Sequence, residues 1–248
     1  MRIDDRSPDQ LRSVRLETGF TAAALGSVLI STGKTRVLCT ASVEPKTPPW
    51  LGHGGWITAE YAMLPGATSP RGRRDPGGRG KEIQRLIGRS LRTAVDLAKL
   101  VGPDGGLSII CDCDVIEADG GTRTASITGA WVALEIALRK LVASGQLATH
   151  PGIAPVAAVS VGLVEGEGSD QLAAMLDLCY HEDSRAHVDL NVVMRARGDA
   201  RPGLVEVQGT GERGDFGRGE LDRMLDLAEA GILELFAAQQ AALADRGA

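Results

Sequence analysis

The chain has 248 residues, 43% of them hydrophobic and 24% charged, which suits one large domain or two small ones with a full core and no disulfide staples. A net charge of −5 argues against a protein that coats nucleic acid over its whole surface. Aromatic residues make up only 3%, so the core must be built from Ala, Val, Leu and Ile. Four cysteines (Cys39, Cys111, Cys113, Cys179) form no C-x-x-C pair. Cys111 and Cys113 fall on one face of a strand, as buried thiols rather than zinc ligands, and point to a reducing compartment. The polar start "MRIDDRSPDQ" has no apolar signal core, and the apolar run "PGIAPVAAVSVGLV" is too short to span a bilayer. The expectation is a cytoplasmic protein without a membrane segment.

In chain order, "GSVLISTGKTRVLCTASVEP" predicts two strands joined at Thr32-Gly33-Lys34, and "GWITAEYAMLP" predicts a third. Residues 65–80 hold five glycines and three prolines and are expected to form a mobile, arginine-bearing loop. A helix follows in which Ile83, Leu86, Ile87, Leu91, Ala94, Val95 and Ala98 keep an apolar face, while Arg85, Arg89 and Arg92 make a basic stripe. "LSIICDCDVIEAD" is a strand, and a helix starts near Thr122 that is apolar nearly all round and therefore central. "APVAAVSVGLV", "QLAAMLDLCY", "HVDLNVVMRA" and "GLVEVQGTG" are four more strands, and a closing helix covers about 218–243. The pattern is one α+β domain over 1–248, with mixed β-sheets packed against helices and two related halves.

Three constellations carry chemistry. In "ADGGTRTASITGA" a strand runs through Gly120-Gly121 into a helix start, where free backbone N–H groups and the positive dipole end suit an anion. Hydroxyls of Thr122, Thr124 and Ser126 are available to donate, and Arg123 adds a planar fork for phosphate oxygens. An ordinary glycine turn with a Thr or Asp119 as N-cap is the plainer alternative. In "CYHEDSRAHVDLNVV", strand alternation puts His187, Asp189 and Asn191 on one face, with Asp183 in the turn before it. Two carboxylates so placed suit Mg²⁺ or proton transfer, or else a solvated strand face. Asp112, Asp114 and Asp177, also expected in strands, are rival acid positions. Residues 71–92 hold eight Lys/Arg against Asp75 and Glu82, a patch for RNA backbone or a solvated helix face. Base stacking is not advertised there, Trp50 and Trp56 excepted. No G-x-S-x-G surrounds a serine, so a serine hydrolase is disfavoured.

Taken together, "GSVLISTGKTRVLCTASVE", "GWITAEYAMLP", "KEIQRLIGRSLR", "CDCDVIEADGGTRTASITGA", "EDSRAHVDLNVVM" and "VEVQGTGE" resemble the ribonuclease PH family, over about Arg2 to Phe236. The resemblance implies an α+β fold of tandem related halves assembled as a homo-hexameric ring, a trimer of dimers. It implies phosphate-dependent removal of nucleotides from the 3′ end of precursor tRNA beyond CCA, with release of nucleoside diphosphates. The reverse addition and action on ribosomal RNA ends go with it. Inorganic phosphate would be held at Gly121, Thr122, Arg123 and Arg79. The paired aspartates match Asp183 and Asp189, with Mg²⁺, and RNA contacts fall on Arg71, Arg73 and Arg74. Arg89 rivals Arg79, because the loop before "KEIQRLIGR" is short, and His181 stands where relatives have Glu. Two other readings stay open: a catalytically silent RNA-binding ring subunit, and a hydrolytic nuclease with two metals at Asp112, Asp114 and Asp177.

Overall fold

A computed structural model describes residues 2–74, 77–165 and 171–244. Strands β1 (Val14–Thr18), β2 (Gly26–Thr32) and β3 (Thr35–Glu44) form an antiparallel meander. The β2–β3 hairpin turns at Gly33-Lys34, as the pattern predicts; β1 has no such signal in the sequence and is held by pairing with β2. Strand β4 (Trp56–Met63) leads through a short 3₁₀ turn at Pro65–Ala67 towards α1 (Gly77–Ala94). The helix therefore takes in the last four residues of the predicted loop and carries Arg79 in its first turn. Residues 75–76 of that loop lie outside the described residues. The apolar stripe Ile83, Leu86, Ile87, Leu91 and Ala94 is buried as expected. Ala98 is not part of it, because Asp96 caps a separate 3₁₀ turn at Leu97–Lys99 by accepting a hydrogen bond from the Ala98 N–H at 3.2 Å.

After a two-residue hairpin, β5 (Val101–Gly102) and β6 (Gly105–Gly106), strand β7 (Ser108–Glu117) inserts between β3 and β4. It is antiparallel to β3 and parallel to β4, which makes this five-stranded sheet mixed. Helix α2 (Thr122–Ala143) is buried along almost its whole circumference, with Trp131, Leu134 and Leu138 fully enclosed. Its all-round apolarity has a physical cause: one side packs on β2 and β3, another on β8 (Val156–Glu165) of the second sheet. That sheet also contains β9 (Leu172–Leu176), β10 (Val188–Arg197) and β11 (Ala200–Gly211), in spatial order β11-β10-β8-β9, and is antiparallel throughout. Helix α4 (Arg218–Ala244) covers its other face, against Val159, Val161, Leu190 and Val192. All four cysteines are free and buried.

The predicted strand "QLAAMLDLCY" is a correction. Only Leu172–Leu176 pairs; Asp177 leaves the sheet with φ 52°, and Tyr180–Asp183 form a one-turn helix, α3. The departure is enforced by the N-terminal segment. Arg12 donates to Asp177 from its backbone N–H (2.8 Å), Nε (3.0 Å) and a terminal nitrogen (2.7 Å), with both side chains under 10% exposed. Arg2 forks onto Glu182 at 2.7 Å twice, and Glu182 also accepts from the Cys179 N–H at 3.0 Å. Burial works against the Asp177 charge, but the Arg12 hydrogen bonds and charge outweigh it and hold the carboxyl below its ordinary range.

Removing one member of such a pair strands the other charge. Arg12→Ala should cost about 3–5 kcal/mol, read as a lowered urea midpoint. Arg15→Ala, which loses only an exposed pair with Glu17, should cost less than about 1 kcal/mol. Equal losses would contradict the burial argument.

Candidate active site

The N-terminus of α2 is built by two consecutive left-handed glycines, Gly120 (φ 76°) and Gly121 (φ 66°). A Cβ on Gly120 would stand 2.7 Å from the Leu178 carbonyl oxygen, so only glycine lets this turn approach the segment after β9. Gly121 is the N-cap and receives no side-chain cap among the described residues. The alternative of a Thr or Asp119 cap is thereby excluded: Asp119 instead accepts from the Tyr180 N–H at 3.3 Å. The first-turn N–H groups are left for a ligand. Of the three hydroxyls expected to donate, two are turned into the helix: Thr124 bonds the Gly121 carbonyl (2.9 Å) and Ser126 the Thr122 carbonyl (2.8 Å). Thr122 remains, sharing a 2.9 Å hydrogen bond with the Tyr61 hydroxyl.

The acidic face belongs to the second half. Asp183 ends α3, whose position is fixed by Arg2 and Glu182. Asp189 lies on β10 opposite Gly162 and Thr210. Its face continues through Asn191 to Val193, which joins the main core cluster. Apolar packing stops there, and the two polar side chains look into open space at the mouth of α2. Asn191 donates to Asp189 Oδ2 at 3.4 Å, while Asp189 Oδ1 is buried with no hydrogen-bond partner among the described residues. His187 pairs with Glu165 at 2.7 Å, so it belongs to the outer edge and not to Asp189.

Two adjoining cavities, of about 470 and 450 Å³, share Arg79, Arg123, Asp183, Asp189 and Asn191 as walls. Gly120, Gly121 and Thr122 line the second, Gln208 and Arg213 the first. The helix mouth and the acidic strand face therefore meet in one space. Arg123 is oriented by Gln208 (2.7 Å) and lies 3.5 Å from Glu82. Arg89, the rival of Arg79, is held by Glu206 through two 2.7 Å bonds. Arg73 and Arg74 line a third cavity of about 210 Å³ that also touches Arg79, while exposed Arg71 bends onto the Gly72 carbonyl (3.2 Å). Asp177, one of the rival acid positions, is committed to Arg12. Among the described residues no set of three or more His, Cys, Asp or Glu could hold a metal, so the two-metal arrangement at Asp112, Asp114 and Asp177 does not form.

Sequence reasoning did not identify Arg2, Arg12, Tyr61 and Gln208. Their partners lie 61 to 180 residues away, beyond the reach of any local pattern.

Burial first, and the neighbouring Asp183 second, push Asp189 up to about 6, with Arg123 pulling the other way. Burial also raises Asp183, and Arg79 and Arg123 oppose it. A buried carboxylate oxygen without a donor suits a hard cation. Mg²⁺ commonly takes one or two carboxylates and keeps waters and substrate phosphates for its remaining positions. Asp189 and Asp183 fit that set.

Two family models match the chain: the 3′ exoribonuclease family, domain 1, over residues 10–139, and the same family, domain 2, over residues 154–231. These spans correspond to the two sheets with their helices. A ribonuclease PH of Corynebacterium glutamicum is 55% identical over 249 residues, covering 98% of this chain and 96% of its own. One of Caulobacter vibrioides is 52% identical, covering 98% and 99%. Among solved structures, the Archaeoglobus fulgidus exosome with RNA bound to the active site has a chain similar at TM-score 0.76 and 24% identity, covering 94% of this chain and 91% of that one. That last likeness concerns the fold.

The raised pKa of Asp189 makes a stability prediction. Between pH 3.8 and about 6 the folded state keeps a proton that the unfolded chain has released, so this residue lowers stability as pH rises through that window. Asp189→Asn should therefore gain on the order of 2–3 kcal/mol over the parent at pH 7.5 and little at pH 4, measured by urea unfolding. A pH-independent difference would contradict a buried-charge cost.

Proposed function

The chain belongs to the ribonuclease PH family of phosphorolytic 3′ exoribonucleases, and from that membership we propose that it trims precursor tRNA beyond CCA, releasing nucleoside diphosphates and running the reverse addition as well. The observation that carries this reading is the pair of adjoining cavities that share Arg79, Arg123, Asp183 and Asp189 as walls, next to an uncapped helix start. Cationic and amide donors on one wall and carboxylates on the other suit a free orthophosphate placed against an RNA phosphodiester.

The first-turn N–H groups of α2, the Thr122 hydroxyl fixed by Tyr61, and the guanidinium groups of Arg123 and Arg79 orient the phosphate. One of its oxygens attacks the last phosphodiester in line. The bond to the 3′ oxygen of the penultimate nucleotide breaks, that oxygen takes up a proton, and the terminal nucleoside leaves as a diphosphate. Orthophosphate is ionised near neutral pH, so the step needs no strong base, which fits a cavity without histidine in its walls. Asp189 and Asp183 would hold Mg²⁺, which when bound would offset charge on the scissile phosphate. Arg71, Arg73 and Arg74 extend the positive surface from the cavity along the path of the tRNA backbone. The same reading places the chain in the cytoplasm as a homo-hexamer and extends its substrates to ribosomal RNA ends. Among the described residues, no helix is long and apolar enough to cross a membrane.

Product identity tests the reaction: diphosphates should appear only when phosphate is supplied, and monophosphates without it would mean hydrolysis. Arg123→Ala should lower the phosphorolytic rate by about 10²–10³; a normal rate would refute its role. The Asp189 role is separable by pH. If its charged form holds the cation, kcat/KM should rise with pH through about 6 at limiting Mg²⁺, and that limb should move to lower pH as Mg²⁺ is raised. A fall above pH 6 that ignores Mg²⁺ would instead make Asp189 the proton donor to the leaving oxygen.

A further inference from the structure

The second cavity has two kinds of wall. Gly121, Thr122, Arg123, Asp183 and Asp189 are polar, whereas Met63, Pro70, Ala118 and Tyr180 present carbon. Tyr180 is 65% exposed, and its side chain makes no hydrogen bond among the described residues. The only other tyrosine, Tyr61, is buried and bonded to Thr122. A large flat ring left uncovered beside a phosphate-handling site has no packing reason to be there. Its backbone is held firmly: the Tyr180 N–H donates to Asp119 Oδ1, and Gly120 packs directly against it. Asp183 follows three residues later in the same helical turn, which places the two side chains roughly 5–6 Å apart at Cβ. That spacing is about the reach from a nucleotide's 5′ phosphate to its own base.

We propose that Tyr180, with Met63 and Pro70 beside it, is the stacking shelf for the nucleobase of the RNA's 3′-terminal nucleotide. The inference rests on the exoribonuclease reading and adds a substrate-positioning residue to it. An aromatic face suits this task because every base has a π-face, so grip on the terminal nucleotide survives each change of sequence as the end is shortened. Stacking fixes the terminal nucleoside, and its 5′ phosphate, the scissile one, then falls opposite Asp183 and Asp189.

The test compares a single-stranded oligoribonucleotide with the same oligomer ending in an abasic ribonucleotide, for the parent, Tyr180→Phe and Tyr180→Ala. Tyr180→Ala should raise KM for the ordinary oligomer about 5- to 100-fold, leaving KM for phosphate unchanged, and Tyr180→Phe should retain the parent value. The abasic oligomer should show the same loss with the parent and gain no further loss from Tyr180→Ala. Equal effects of Tyr180→Ala on both oligomers, or a Tyr180→Phe protein as weak as Tyr180→Ala, would overturn the shelf. Failure of the exoribonuclease reading would look different, as a parent protein that releases no diphosphate from either oligomer.

Discussion

One buried guanidinium, that of Arg12, joins the two halves of the molecule where the site is assembled. It forks onto Asp177 just past β9 of the second sheet, and it also donates to the carbonyls of Asp119 and Gly120 ahead of α2. Thr35 reinforces the same turn, accepting from the Asp119 N–H at 2.8 Å and donating to the Gly120 carbonyl at 2.7 Å. Taking a cation and an anion out of water is expensive, and an apolar substitute of similar shape would often be no less stable. What an apolar pair would not supply is direction. The forked geometry sets where the Gly120-Gly121 turn stands relative to α3, and so how far the phosphate-oriented groups lie from Asp183 and Asp189.

The electrostatics of the cavity follow from that assembly. Carboxylates and guanidinium groups share its walls, yet Asp189 remains raised to about 6, because burial and Asp183 outweigh the pull of Arg123. The unpartnered Oδ1 is the local sign of the same imbalance. In the free protein this arrangement costs stability, and a bound cation together with phosphate groups would relieve it. Arg123 is not loose while it waits: Gln208 holds it, and Gln208 in turn donates to Glu82 of α1 at 2.7 Å. Preorganised donors of this kind lose little freedom on binding.

Much of this was legible in the sequence, for identifiable reasons. The α2 helix announced itself by being apolar all round, and the β2–β3 hairpin by its turn; both are local signals. The Gly-Gly-Thr-Arg stretch showed where the helix starts, because glycines, a strand and a helix start are adjacent in the chain. Alternation along β10 put Asp189 and Asn191 on one face, but it also put His187 there, and only the neighbouring strand shows that His187 answers to Glu165. The end of β9 has no local signal, because "LDLCY" has strand composition while its exit is set by Arg2 and Arg12 from the far end of the chain. Arg79 and Arg89 could not be separated by spacing. Glu206, on β11, separates them by occupying Arg89.

The central claim is that the Arg12 fork positions the Gly120-Gly121 turn proposed to bind phosphate and does not merely stabilise the fold. Phosphate affinity, measured by calorimetry on the intact protein and on Arg12→Lys under conditions where circular dichroism shows both folded, tests it most directly. Lysine keeps the charge but loses the planar fork. The account predicts phosphate binding weakened at least about tenfold in the folded variant, a loss of roughly 1.4 kcal/mol. Unchanged phosphate affinity in a folded Arg12→Lys protein would contradict it.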